Sequence, residues 1–421
     1  MTDLVGHIID ERLVHTVFQP LVHLTDGEVV GYEALARGPT GSPLEPPLAL
    51  QQAATAANRL AALDWLCAAT AARSVAQARL HPSQTLFLNM EPTTLLTSCP
   101  EALMRDFQRA DRLRVVVELA EASLTGDPSS VLEAVHAVRD QVWGIALDGV
   151  GAQPASTAFL PVLYPDVVKL DIPGLRARNQ SELARIETAV RAYAERTGAM
   201  ILAQRIESGE DAAWALALGA TYGQGWHYGH PGELPAETRA PAAPFPLLRT
   251  PETKVGATPF DVVSEHRHST AIDRRFLCEI SRLLELEVLS SRDSCVLLAS
   301  IERQEHLTAA VEARYRLLGE RGVFTVVCGE GMGDSDPGLR TVTLRPGDPL
   351  AKEWDVVVVG PHYCGALVAR DLGDLGPEGF RRYEYVLTHD WTLVVAAARS
   401  MLRWVTQQHP VHAGGVDRRT A

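Results

Sequence analysis

No apolar run in the chain approaches the ~18 residues that would suggest a membrane span. No basic-then-apolar leader opens it either, since Met1-Thr2-Asp3-Leu4 runs on to the acids Asp10 and Glu11. These absences predict a soluble protein. A C-x-x-C pair is also missing: the six cysteines, at 67, 99, 278, 295, 328 and 364, are scattered, most of them within apolar stretches such as Phe324-Thr325-Val326-Val327-Cys328. Buried free thiols fit that placement better than a metal or redox centre, and a reducing cytoplasm is expected. Excess positive charge is lacking too. With 39 Lys+Arg against 52 Asp+Glu the net charge is −13, the reverse of the footprint of a binder of nucleic-acid polymers or anionic membranes. Aromatics are only 6% of residues, so the core must rest on Ala, Val and Leu. What remains, 46% hydrophobic and 22% charged, excludes wholesale disorder.

At ~150 residues per domain, 421 residues suggest two or three domains. The densest Pro/Ala stretch runs from Pro231 to Pro259. Proline lacks an amide donor and pre-sets an extended backbone, so this stretch reads as a semi-rigid spacer. The expected organisation is a first domain over 1–235, a linker over 236–259, a second domain over 260–407 and a polar tail over 408–421.

In the first domain, short apolar runs at 17–22, 29–35, 85–90, 115–119, 143–148, 167–171, 200–204 and 221–225 alternate with Ala/Leu-rich stretches of helical period. That alternation predicts an α/β fold, a (β/α)8 TIM-like barrel. The first two runs are joined by Leu24-Thr25-Asp26-Gly27-Glu28, and Asp-Gly is a hairpin signal. A parallel crossover needs a dozen or more residues, so the first strand is expected to be antiparallel to the second. The second domain mixes the two periods as well, with strands expected at 295–301, 323–328, 342–344, 356–360 and 382–386, and helices at 272–286, 308–319 and 391–405. It reads as a smaller α/β domain.

Polar residues recur at or near the C-terminal ends of the barrel strands: Glu33, Asn89, Glu118, Asp148, Lys169, Asp171, Gln204 and Gln224. Any one of them could be a satisfied structural group. Their repetition at the strand ends that build a barrel's active-site face favours one shared cavity. Three carboxylates with an asparagine offer hard oxygen ligands, suited to Mg2+, Mn2+ or Ca2+ rather than zinc.

These residues carry a resemblance. Phe18-Gln19-Pro20, Gly31-Tyr32-Glu33-Ala34-Leu35-Ala36-Arg37, Phe87-Leu88-Asn89, Glu118-Leu119-Ala120-Glu121, Leu147-Asp148, Lys169-Leu170-Asp171 and Gln224-Gly225 resemble, in order, the motifs of the EAL domain family. That family comprises cyclic di-GMP phosphodiesterases on a barrel with an antiparallel first strand. The resemblance implies that Glu33, Asn89, Glu118 and Asp148 ligate a first metal, Mg2+ or Mn2+, with Ca2+ binding without turnover. It implies that Lys169 orients the attacking water, that Glu121 braces the loop after Asp148, and that Gln224 lies near that water. Gln19, Arg37 and Asp171 would contact the nucleotide alongside Glu33 and Asn89. A homodimer through the barrel is a further implication.

Two departures stand out. The family pattern Asp-Asp-Phe-Gly is Asp148-Gly149-Val150-Gly151 here, and Ala-Glu-Gly-Val-Glu is Ala203-Gln204-Arg205-Ile206-Glu207. In-line phosphodiester hydrolysis with two metals ~3.5–4 Å apart needs carboxylates to neutralise both, and a neutral glutamine cannot act as a general base. The second metal site should be weak or empty. The expectation is a catalytically impaired, ligand-binding effector, the alternatives being a low-activity phosphodiesterase or a nucleotide-independent scaffold.

In the second domain, Arg314-Tyr315, Asp348-Pro349-Leu350, Glu353-Trp354, Gly360-Pro361-His362-Tyr363, Ala366–Asp371 and Thr388-His389-Asp390 resemble the DICT sensory domain, which implies an unidentified small ligand or protein partner. Asp390 precedes a helical run and reads as its N-cap. His266 and His268 share a face of an extended segment, but no third ligand is readable nearby, so that segment reads as solvated.

Overall fold

A computed structural model describes residues 2–108, 113–153, 156–236, 238–248, 258–291, 293–333, 339–374 and 377–405. The expected tail, with His409 and His412, lies outside the described residues. The chain divides into two compact units. The first holds strands β1 (His15–His23), β2 (Val29–Arg37), β3 (Thr85–Asn89), β4 (Arg114–Ala120), β5 (Gly144–Asp148), β6 (Val167–Asp171), β7 (Met200–Gln204) and β8 (Tyr222–Gly223), closed into a barrel.

β1 and β2 form the expected antiparallel hairpin, with Gln19 opposite Glu33. Gly27 takes φ 73° at its turn, where a side chain would be strained. β2 to β8 run parallel, and β8 closes the barrel antiparallel to β1. From β3 to β6 the strand interiors are buried on both faces, as the near-continuous apolar runs require.

The opposite end of the barrel is filled by Leu21, Val30, Phe87, Val116, Ala146, Val167, Leu202 and Phe245. Phe245 belongs to the proline-rich stretch read as a spacer, and it is fully buried. Its ring stands edge-on to Phe87, with centroids 5.6 Å apart, and lies 4.6 Å from Tyr222. The Arg114 guanidinium donates to the Phe245 carbonyl at 2.6 Å, and the Leu248 amide donates to buried Asp166. Residues 238–248 are therefore a strap seated on the barrel floor. Proline count carried no information about what this stretch lies against.

The second unit is built on a seven-stranded sheet of β9 (Thr270–Asp273), β10 (Val296–Arg303), β11 (Phe324–Glu330), β12 (Arg340–Leu344), β13 (Glu353–Val359), β14 (Cys364–Asp371) and β15 (Arg382–Thr388), in the order β12-β11-β10-β13-β14-β15-β9. β10, β11 and β12 are parallel and the other pairings antiparallel. Two of these strands are absent from the sequence-based expectation. β14 is interior to the sheet but contains Gly365, Ala366 and Ala369, which carry no strand signal of their own. β9 is a four-residue edge strand whose last two residues overlap the start of the expected helix at 272–286; Asp273 ends the strand and caps a helix that begins at Arg274. Asp390 is an N-cap, accepting from the amides of Thr392 and Leu393. His266 and His268 are exposed, and His266 Nδ1 sits 3.3 Å from the Val262 carbonyl oxygen. All six thiols are free. Among the described residues, no helix is long and apolar enough to cross a membrane.

Candidate functional site

At the carboxyl end of the barrel, Lys169 on β6 is 1% exposed and lies between two acids. Its Nζ is 2.6 Å from Glu118 Oε1 on β4 and 3.2 Å from Glu33 Oε2 on β2. Burial alone would strip its proton, but the charges of Glu118, Glu33 and Asp148 outweigh burial and hold it as an ammonium. The two acids respond oppositely. Burial pushes Glu33 upward, yet Lys169 and the amides of Gln224 and Asn89 more than reverse this, so its carboxylate stays charged. Glu118 is pushed well above the ordinary carboxylate range, first by burial and then by the charge of Glu33.

Glu33 is held by three neutral or charged donors besides its own strand. Asn89 Nδ2 donates to Oε1 at 2.8 Å; Gln224 Nε2 donates to Oε2 at 2.7 Å and to Gln19 Oε1 at 3.0 Å, while Lys169 completes the shell. Gln19 Nε2 reaches the Gly229 carbonyl at 3.1 Å. Gln224 is placed by a close backbone approach: a Cβ at Gly225 would sit 2.1 Å from the Ile206 carbonyl oxygen, so only glycine fits there. The structure thus brings Gln19, Glu33, Asn89, Glu118, Lys169 and Gln224 together.

Asp148, Asp171 and Gln204 form a neighbouring group. Gln204 Nε2 donates to Asp148 Oδ1 at 2.7 Å. Asp171 opposes Gln204 in the β6–β7 register, caps the short helix Ile172–Arg176 through the Gly174 amide, and pairs with Arg205 at 3.2 Å. Gly149 takes φ 73°. Glu121 is set apart from these contacts: it accepts from the amides of Ala152 and Gln153, so it braces the loop after Asp148, and burial pushes it up to about 7.

Two recesses open onto these groups. One, of about 380 Å³, is lined by Glu33, Arg37, Asn89 and Glu118 and extends to Asp64 and Cys67 of the helix Leu60–Ala78. Arg37 there donates to its neighbour's carbonyl, that of Ala36, at 2.9 Å. The other, of about 400 Å³, is lined by Asp148, Gly149, Asp171, Gln204, Arg205 and Arg178. Asp64, Arg178 and Arg205 escape the strand-end reasoning. Asp64 lies within an Ala/Leu-rich helix, where a lone acid in an apolar stretch was the available signal; Arg205 follows directly on Gln204.

The donor chemistry fits a divalent cation in the first group. Three carboxylates, Glu33, Glu118 and Asp148, interact with a single ammonium, and the buried Glu118 Oε2 has no hydrogen-bond partner. A buried acceptor left unpaired beside surplus negative charge is what a hard cation satisfies. Among the described residues, no three His, Cys, Asp or Glu side chains are arranged to hold a metal in the conformation seen here.

The EAL domain profile matches residues 5–231, and that of a sensory domain in diguanylate cyclases and two-component systems (DICT) matches 261–372. The probable cyclic di-GMP phosphodiesterase PdeB of Escherichia coli is 28% identical over 237 residues, 52% of this chain and 43% of that protein. An uncharacterized protein of Mycobacterium tuberculosis is 30% identical over 234 residues, 52% of this chain and 76% of its own length. The cyclic di-GMP phosphodiesterase RocR of Pseudomonas aeruginosa is 26% identical over 230 residues, covering 53% and 58%. The chain therefore spans between less than half and about three quarters of these relatives. Among solved structures, a calcium/cyclic di-GMP complex of Klebsiella pneumoniae BlrP1 matches with TM-score 0.46 and 24% identity, covering 52% of this chain and 58% of that one. With the profile covering more than half of its length, the chain belongs to the EAL domain family.

Proposed function

We propose that the barrel binds cyclic di-GMP at its carboxyl end and hydrolyses it slowly or not at all, so that the chain acts chiefly as a nucleotide-binding effector with a C-terminal sensory domain. The observation that carries this reading is the Gln204 amide donating to Asp148 Oδ1 beside Gly149. An amide there supplies neither a base nor a charge for a second cation. The relatives named as cyclic di-GMP phosphodiesterases support the ligand, and the retained Glu33, Asn89, Glu118, Asp148 and Lys169 support its capture.

Glu33, Asn89, Glu118 and Asp148 would hold one Mg2+ or Mn2+, which when bound neutralises phosphate charge and lowers the pKa of a ligated water. Lys169, kept as an ammonium, positions Glu33 and Glu118 by direct contact. Gln19 and Gln224 fix the Glu33 carboxylate from the other side. Arg37 faces the recess lined by Glu33, Asn89 and Glu118 and supplies a guanidinium for phosphate oxygens. The free thiols fit a reducing cytoplasm.

Calorimetry with cyclic di-GMP, with and without Mg2+ or Ca2+, tests the reading. Binding is expected, weakened by Arg37→Ala; absence of heat and of any thermal shift at high ligand concentration with both metals would overturn it. Turnover at ordinary enzyme rates, from roughly 1 s⁻¹ upward, would replace the effector reading with that of a phosphodiesterase.

A further inference from the structure

Arg205 departs from its surroundings in three ways. It is a non-glycine residue at φ 61°, in the left-handed region that side chains avoid. Its side chain is 62% exposed, yet it engages Asp171 with contacts of 3.2 and 3.3 Å to the two carboxylate oxygens. It also lines the recess that holds Asp148, Gly149 and Gln204. A strained backbone that carries a long cation into a recess points to a use for that cation, because a glycine would adopt the same turn without strain.

The charges of the recess sharpen the point. Its acids are Asp148 and Asp171, and its cations are Arg178 and Arg205. Gln204 engages Asp148, Arg205 engages Asp171, and Arg178 donates to the Ala152 carbonyl at 2.6 Å. Consecutive residues at the end of β7 thus contact both acids, and the two acids of the recess are balanced by its two guanidiniums, although Asp171 Oδ1 accepts no hydrogen bond. What it presents to solvent is guanidinium, a planar donor matched to phosphate oxygens.

We propose that Arg205 is a phosphate contact for the bound cyclic dinucleotide: it rests on Asp171 in the free chain and turns to a phosphodiester oxygen when ligand enters, giving the Asp148–Asp171 side of the site its positive charge without a second cation. This rests on the cyclic di-GMP reading above.

The test titrates cyclic di-GMP into the whole chain with Mn2+ present, comparing wild type with Arg205→Ala and Arg205→Lys. Arg205→Ala is expected to weaken binding roughly 10- to 100-fold, the loss of a hydrogen bond to a charged group, with the ligand-free melting temperature unchanged. Arg205→Lys should recover part of the affinity. Manganese titration at saturating nucleotide should end at one ion per chain. Wild-type affinity in Arg205→Ala, or two manganese ions per chain, would each overturn the inference and leave the functional reading standing. A lowered ligand-free melting temperature in Arg205→Ala, with affinity kept, would show a purely structural counter-ion and overturn it as well. Failure of wild type to bind removes the functional reading, and the inference with it.

Discussion

At residue 204 one amide decides the chemistry of its neighbourhood. Gln204→Glu would replace the donor facing Asp148 Oδ1 across 2.7 Å with a second carboxylate. Two acids so close repel, at a cost of about 1–3 kcal/mol for the lost bond and the unpaired group. The variant should melt below wild type in a chelator and regain the difference with Mn2+, as measured by thermal unfolding; a melting point indifferent to metal would argue against a recruited cation. Gly149→Asp has room, the nearest atom to a Cβ being Glu121 Oε2 at 4.0 Å, but φ 73° imposes roughly 1–2 kcal/mol of backbone strain, towards the lower end for aspartate. Together the two changes should yield measurable hydrolysis to linear product, exceeding the sum of the singles because catalytic groups acting as a unit are non-additive. Glu33→Ala in that background should abolish the gain, and wild type as fast as the double variant would contradict the account. Glu33, Asn89, Glu118, Asp148 and Lys169 were legible in the sequence because polar side chains interrupt apolar runs at strand ends. Which of them pair was not, since the Lys169 bridge from Glu118 to Glu33 links residues from three separate strands.

At the scale of single elements, the helix Leu60–Ala78 carries an acid into the wall of the recess lined by Glu33, Arg37, Asn89 and Glu118. Asp64 accepts from the Glu91 amide at 3.1 Å and the Thr94 hydroxyl at 2.8 Å, tying the helix to the loop after β3. Burial pushes it up to about 6 in spite of those bonds. Its unfolded value is near 3.9, so the folded chain binds the proton more tightly, and stability is lost as pH rises from about 4 to about 6. Asp64→Asn keeps an acceptor and removes the penalty. Its advantage over wild type should be small at pH 4 and grow to ~2 kcal/mol by pH 8; denaturant unfolding at both pH values checks this, and a pH-independent difference would refute it. Element type was readable where one pattern dominated. The Asp26–Gly27 turn announced the antiparallel hairpin, and Leu277, Ile280, Leu284 and Val288 mark the buried stripe of the helix Arg274–Ser290. It was unreadable where tertiary pairing overrides propensity. β14 is a strand because β13 and β15 flank it, not because Gly-Ala-Leu-Val-Ala prefers to be one.

For the molecule as a whole, the strap changes where the barrel ends. Phe87 stands two residues before Asn89, and Tyr222 two before Gln224, so the rings that hold Phe245 belong to strands that carry site residues. Composition could not show this, because the proline content of 241–246 suits a spacer and a strap equally. The fully buried ring makes Phe245→Ala a cavity-forming change in the barrel floor, expected to cost about 3–5 kcal/mol. The same contacts predict how the barrel can be cut. A chain ending after Leu248 keeps Phe245, the Arg114–Phe245 bond and the Leu248–Asp166 bond, and should fold. A chain ending after Ala236, close to where composition alone places the domain boundary, loses all three. It exposes Phe87 and Tyr222 at the floor and leaves the inner Asp166 Oδ1 without its backbone donor, although Asp166 keeps Arg139 and the Ile145 amide. The shorter chain should therefore be recovered in lower yield and melt well below the longer one, and calorimetric melting of the two side by side settles the matter. Equal melting temperatures would mean that the strap only rests on the barrel floor, and that the barrel's stability is complete by the end of β8.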